Sequence, residues 1–137
     1  MDISAEDVLA VHQLYGRQSH AIDSGRAADW AATFTADGEF HSPSYPEPAV
    51  GAAELTAFAE RFHAGFLESG EVLHHVISTV DVTPVGSDTL TSRAYLQIVG
   101  TPTGRPSRLH RLTTVVDDIV RTPSGWRIDR RTVLRDP

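Results

Sequence analysis

Apolar residues at Val8, Val11, Tyr15 and Ile22, with Leu9 and Leu14 beside them, recur at helical spacing and predict a first helix. Ser4-Ala-Glu-Asp7 opens it like a capping box, with Asp where Glu is usual. Ser24-Gly25 is a stop signal just after Asp23. A second, short helix places Ala27, Trp30, Ala31 and Phe34 on one side, and Asp37-Gly38 follows as a turn. Glu39 to Ser42 reads as a short strand, and Pro43, Pro46 and Pro48 make the next stretch irregular. Gly51 to about Phe66 forms a third helix, with Leu55, Phe58, Ala59, Phe62 and Phe66 as its stripe.

After Gly70 the period changes from helical to alternating. Four strands are expected, at Val72–Val82, Thr89–Val99, Leu109–Val120 and Trp126–Leu134. Gly86-Ser87-Asp88 and Pro123-Ser124-Gly125 are turns, so these strands pair as antiparallel hairpins. Helices first and strands afterwards define an α+β chain, with helices packed over a curved sheet. In the first long strand Leu73, His75 and Ile77 oppose Val72, His74 and Val76, and both faces are substantially apolar. A sheet covered on one side only shows polar residues on the other. All helices lie on one side, so a second copy of the same sheet is expected on the other, as a homodimer.

Composition narrows the function. A chain of 137 residues suits one domain, spanning 1–137. A net charge of -6 without a Lys/Arg cluster argues against nucleic acid as a partner. Without cysteine there are no disulfides, thiolate nucleophiles or cysteine metal sites. No apolar run approaches the ~20 residues of a membrane span, and the acidic N-terminus is unlike a targeting peptide. No membrane association and a cytoplasmic location are therefore expected. Neither a His-Glu-x-x-His motif, a phosphate loop, a dinucleotide fingerprint nor a nucleophile elbow occurs. Chemistry without metal or cofactor is the expectation, on a small-molecule substrate.

An ordered set of residues carries a resemblance. It runs from Tyr15 and Ala21-Ile-Asp23-Ser-Gly25 through Trp30-Ala-Ala-Thr-Phe34-Thr-Ala-Asp37-Gly38 to Gly51. It continues with His74-His75, Asp117 and Gly125-Trp126-Arg-Ile128 with Arg131. The set resembles the SnoaL-like branch of the nuclear transport factor 2-like superfamily over nearly the whole chain. The resemblance implies a conical, barrel-like pocket roofed by helices, with four to six mainly antiparallel strands, usually paired through the sheet. The superfamily includes polyketide cyclases, scytalone and bile-acid dehydratases, steroid isomerases, epoxide hydrolases and non-catalytic binding subunits. Fold alone does not choose among these.

The candidate chemistry centres on Asp23 and His75. Tyr15, Ser19 and Asp23 are four apart and share a face with Val8 and Val11, so Asp23 points inward. An inward carboxylate needs a partner. Asp23 either caps a neighbouring element or binds an Arg, or it orients a histidine or acts as a general base. His74 and His75 point to opposite faces. Alternation does not say which faces the pocket, and the resemblance selects His75, working with an Asp at the end of the first helix. Histidine titrates near neutrality, which suits proton transfer. Tyr15 and His110 are candidate donors to a developing oxyanion. His110 shares a face with Leu112, Thr114 and Val116, while Arg111, Thr113 and Asp117 compete from the opposite face. Asp117 and Arg131 are similar to the superfamily's late Asp and Arg, a likeness that implies a buried pair, with Arg131 also near the substrate. Trp30, Phe34, Phe40, Tyr45, Phe58, Phe62 and Tyr95 supply an apolar lining. Two functions follow. One is a cofactor-free cyclase, dehydratase or isomerase acting on a small hydrophobic metabolite, up to polycyclic in size, in natural-product biosynthesis. The other is a ligand-binding or accessory subunit with the same pocket. Epoxide opening is a weaker variant, because it wants an Asp–Arg–Asp set.

Overall fold

A computed structural model describes residues 3–136; the first two residues of the acidic N-terminus lie outside it. Helix α1 (Ala5–Asp23) begins where Ser4 Oγ accepts the Asp7 N–H at 3.1 Å. It buries Val11, Leu14, Tyr15, Gln18, Ala21 and Ile22. Gly25 follows with φ +75°, and a Cβ there would meet the His63 ring at 2.6 Å, so only glycine suits the position. Helix α2 is short (Ala27–Ala31), and α3 spans Ala52–Ser69. The strands are β1 (Phe34–His41), β2 (Ala49–Val50), β3 (Glu71–Gly86), β4 (Thr89–Pro102), β5 (Arg108–Thr122) and β6 (Gly125–Leu134).

The six strands form one curved, unclosed sheet in the order β2-β1-β6-β5-β4-β3. Hairpins join β3 to β6, as their short turns require, but β1 pairs with β6 in parallel. The expected second helix is therefore one segment too long. Phe34 stands four residues after Trp30 and fits the helical stripe, yet it opens β1. Thr33 ends the helix: its hydroxyl donates to the Trp30 carbonyl at 2.6 Å, and its own carbonyl accepts the Ile128 N–H at 2.9 Å. Asp37-Gly38 does not precede the strand but lies within it, at a bulge between Phe34 and Glu39. A Cβ on Gly38 would meet Phe34 Cβ at 2.8 Å, so this bulge too depends on glycine. In β3 a second bulge follows Ser78, where Thr79 adopts φ 54°. Bulges of this kind bend the strand and strengthen its twist, in keeping with the curvature of the sheet.

The core lies between the helices and the concave face. Val11, Leu55, Val115 and Ile128 are completely buried, each contributing about 1.5–3 kcal/mol of transfer free energy. The convex face carries exposed apolar residues, among them Val72, Val76, Tyr95, Leu112 and Leu134. Among the described residues no helix is long and apolar enough to cross a membrane.

Candidate active site

The end of α1 meets the start of β3. Asp23 Oδ1 lies 2.7 Å from His75 Nδ1, and the same carboxylate accepts the His75 backbone N–H at 3.0–3.1 Å. The His75 side chain is 10% exposed, so this contact is largely shielded from water. A carboxylate only accepts hydrogen bonds, so the proton of the neutral ring belongs on Nδ1 and Nε2 keeps a lone pair. His74 points to the opposite face and is exposed.

His75 is part of the wall of a cavity between helices and sheet. Trp30, Phe40, Tyr45, Phe58 and Phe62 form its aromatic side, and the Phe62 ring centroid is 5.1 Å from that of His75. Ser42, Arg111, Thr113 and Arg131 are the other polar lining residues, and the free volume is ≈ 50 Å³. Registration explains how strands deliver them. His75 pairs with Ile98 and Ile98 with Arg111, so these three form one rung, while Ile77, Leu96 and Thr113 form the next.

Behind the cavity is a buried polar network. Arg131 Nε and Nη2 donate to the two oxygens of Asp117, both at 2.8 Å, and Nη1 donates to Gln18 Oε1 at 2.7 Å. Gln18 Nε2 donates to Thr33 Oγ1 at 2.8 Å. The Tyr15 hydroxyl donates to Asp117 Oδ2 at 2.6 Å. Burial, reinforced by the Asp117 charge, pushes the Tyr15 hydroxyl well above the ordinary tyrosine range. Burial works against the charge on Arg131, but the Asp117 carboxylate and its hydrogen bonds outweigh it and hold the guanidinium protonated. Gln18 and Thr33 are network residues that the sequence-based expectations do not include. Gln18 had a signal, since it stands seven residues after Val11 and four after Leu14 in the buried stripe.

Several expected site residues lie elsewhere. Tyr15 is committed to Asp117 and does not line the cavity. His110 stands at a bulge of β5 opposite Ile98–Val99, which displaces it from simple alternation. Its ring sits over Gly100 and its Nε2 is 3.0 Å from the Glu71 carboxylate, outside the cavity. Glu71 also accepts from Arg108 Nε at 3.1 Å, and that bond, aided by His110, holds its carboxyl below the usual range. Phe34 is core, with its ring 5.1 Å from that of Trp30. Tyr95 is 47% exposed on the convex face. Among the described residues no three His, Asp or Glu side chains are grouped to hold a metal.

A helical layer over an unclosed, mainly antiparallel sheet, with a cavity between, defines the cystatin-like architecture of nuclear transport factor 2-like proteins. The family model of the SnoaL-like domain matches residues 4–132, and the chain belongs to that family. Among solved structures it is similar to a nuclear transport factor 2-like protein with a cystatin-like fold from Novosphingobium aromaticivorans. The two are 28% identical with a TM-score of 0.84, over 96% of this chain and 83% of that one. Aln2 from a Streptomyces species is 26% identical with a TM-score of 0.88, over 99% and 95% of the two chains. A Catenulispora acidiphila protein in complex with S-DNPA is 25% identical with a TM-score of 0.81, over 95% and 93%. No curated protein matches the chain.

Proposed function

We propose that this chain is a cofactor-free acid–base enzyme that acts on a small, hydrophobic, enolisable metabolite. The observation that carries the reading is the Asp23–His75 pair, 2.7 Å apart, with His75 in the wall of an aromatic cavity. His75 Nε2 removes a proton from a carbon next to a carbonyl, and Asp23 holds the ring in orientation and stabilises the imidazolium. Ring closure, loss of water and double-bond migration all begin at the resulting enolate. Membership of the SnoaL-like family supports natural-product metabolism as the setting, and the S-DNPA complex of the Catenulispora relative supports a small-molecule ligand. The test is proton exchange from enolisable polycyclic ketones in deuterated water, followed by NMR. Wild type should exchange and His75→Ala should not; equal exchange by both would end the reading.

The cavity size favours a second reading. About 50 Å³ is far below the ~300 Å³ and more of typical ligand pockets. A ligand must therefore displace Tyr45, Phe62 or a neighbouring side chain, and a binding or accessory subunit could use such adaptability without turnover. Epoxide opening draws no support. It would need a second carboxylate on Arg131, and Gln18 occupies that place.

The same proposal includes a homodimer built through the convex face. Val76, Gln97 and Leu112 share one rung there, and Tyr95, Thr114 and Leu134 share the next. Apolar side chains contiguous on a sheet face mark an interaction surface.

A further inference from the structure

Among the polar groups around the cavity, His75 is paired with Asp23, and Arg131 is held by Asp117 and Gln18. Two further lining residues, Thr113 and Arg111, lie side by side on β5. Thr113 Oγ1 is buried and has no hydrogen-bond partner among the described residues, in a residue only 4% exposed. Arg111, two residues away on the same face of β5, has no carboxylate in ion-pair reach among the described residues. A buried hydroxyl without a partner is destabilising, and Arg111, half-buried in the lining of a mainly apolar cavity, has no carboxylate beside it. A ligand oxygen that accepts hydrogen bonds and carries negative charge satisfies both at once.

We infer that Arg111 and Thr113 form an oxyanion seat, and that the ligand is a conjugated or aromatic compound bearing an acidic oxygen, present as a phenolate or formed as an enolate. The surrounding rings of Trp30, Phe40, Phe58 and Phe62 suit its flat apolar body. A cationic ligand would face Arg111 with like charge. The seat is also placed for the proposed reaction. His75 and Arg111 stand on one rung two strands apart, about 10 Å between backbones, with apolar Ile98 between them. When His75 Nε2 takes the C–H proton, the bonding pair moves to the carbonyl oxygen, and the seat holds the charge that results. Nothing is oxidised or reduced, and the proton leaves His75 to solvent or returns to product.

This role in turnover rests on the acid–base reading, whereas the seat itself is tested by binding. The probes are 4-nitrophenolate, at a pH above the ionisation of the phenol, and nitrobenzene, which lacks the oxygen. Wild type should prefer 4-nitrophenolate. Thr113→Val and Arg111→Met should each weaken it about tenfold or more while leaving nitrobenzene unchanged. Thr113→Val should melt at or above the wild-type temperature, because it removes an unsatisfied hydroxyl. The inference is overturned if wild type shows no preference for the phenolate, or if both variants retain it. His75→Ala separates the two claims. Retained phenolate preference with undiminished proton exchange would sink the acid–base mechanism and keep the seat; lost exchange without any wild-type preference would do the reverse.

Discussion

Asp23 accepts two different hydrogen bonds from His75, one from ring Nδ1 at 2.7 Å and one from the backbone N–H at 3.0–3.1 Å. The carboxylate thus fixes both the imidazole and the strand that carries it, across 52 residues of sequence. The two bonds make the two ends of the pair unequal under mutation. Asp23→Ala should lower proton-exchange activity about 100-fold or more and also cost roughly 1–3 kcal/mol, since a part-buried N–H loses its acceptor. His75→Ala keeps the N–H and should lose activity with a smaller loss of stability. Denaturant unfolding of both variants checks the asymmetry.

Asp117 and Arg131 are both almost fully buried and bound through two parallel hydrogen bonds. Removing one partner leaves an uncompensated charge in the core, which typically costs about 3–5 kcal/mol. Arg131→Met and Asp117→Leu should each be strongly destabilising. The double variant should recover much of the loss, and a double-mutant cycle by chemical denaturation measures it. Additive losses would show that the pair is not coupled.

Tyr15 supplies a pH dependence. Its folded-state pKa is raised by burial and by Asp117, so below the unfolded pKa of about 10 Tyr15 keeps its proton in both folded and unfolded chains. Above that pH the unfolded chain ionises while folded Tyr15 does not, and stability falls as pH rises. Tyr15→Phe should lose roughly 1–3 kcal/mol at neutral pH, because Asp117 forfeits a donor. It should also flatten the alkaline decline. Melting temperatures of the two proteins from pH 7 to about 11 test both parts.

The convex face sets the expected assembly. Light scattering should give about twice the 14.9 kDa chain mass. Leu112→Glu or Tyr95→Glu should yield folded monomers, because a charge buried at an apolar interface is costly. A wild-type monomer across the micromolar range would refute the interface.

How much could be read in advance varied by element. Helices α1 and α3 were legible because their apolar stripes end at stop residues, Ser24-Gly25 and Gly70, and α1 also opens on the Ser4 cap. Strands β3 to β6 were legible because alternation and turn residues agree. Phe34 misled because its helical spacing from Trp30 says nothing of Ile128, which pairs with it from the far end of the chain. Alternation placed His110 on a face with Leu112, but a one-residue bulge, invisible in a sequence read strand by strand, moved it onto Glu71. Tyr15 was correctly read as inward, yet its distance from the cavity depended on Asp117 lying 102 residues away.

Everything legible in the residues alone was local and periodic: the order of helices and strands, an inward Asp23, a pair of histidines on opposite faces, and a sheet apolar on both sides. Those follow from side-chain spacing and backbone geometry, which act over a few residues. It took the folded chain to bring Asp23 to His75, to give Tyr15 to Asp117, and to set Arg111 and Thr113 in the cavity lining, where among the described residues Arg111 has no ion-pair carboxylate and the Thr113 hydroxyl no hydrogen-bond partner. These are relations of register between strands and of contact between layers, set by which pairing buries the most apolar surface while satisfying the polar groups that must go with it.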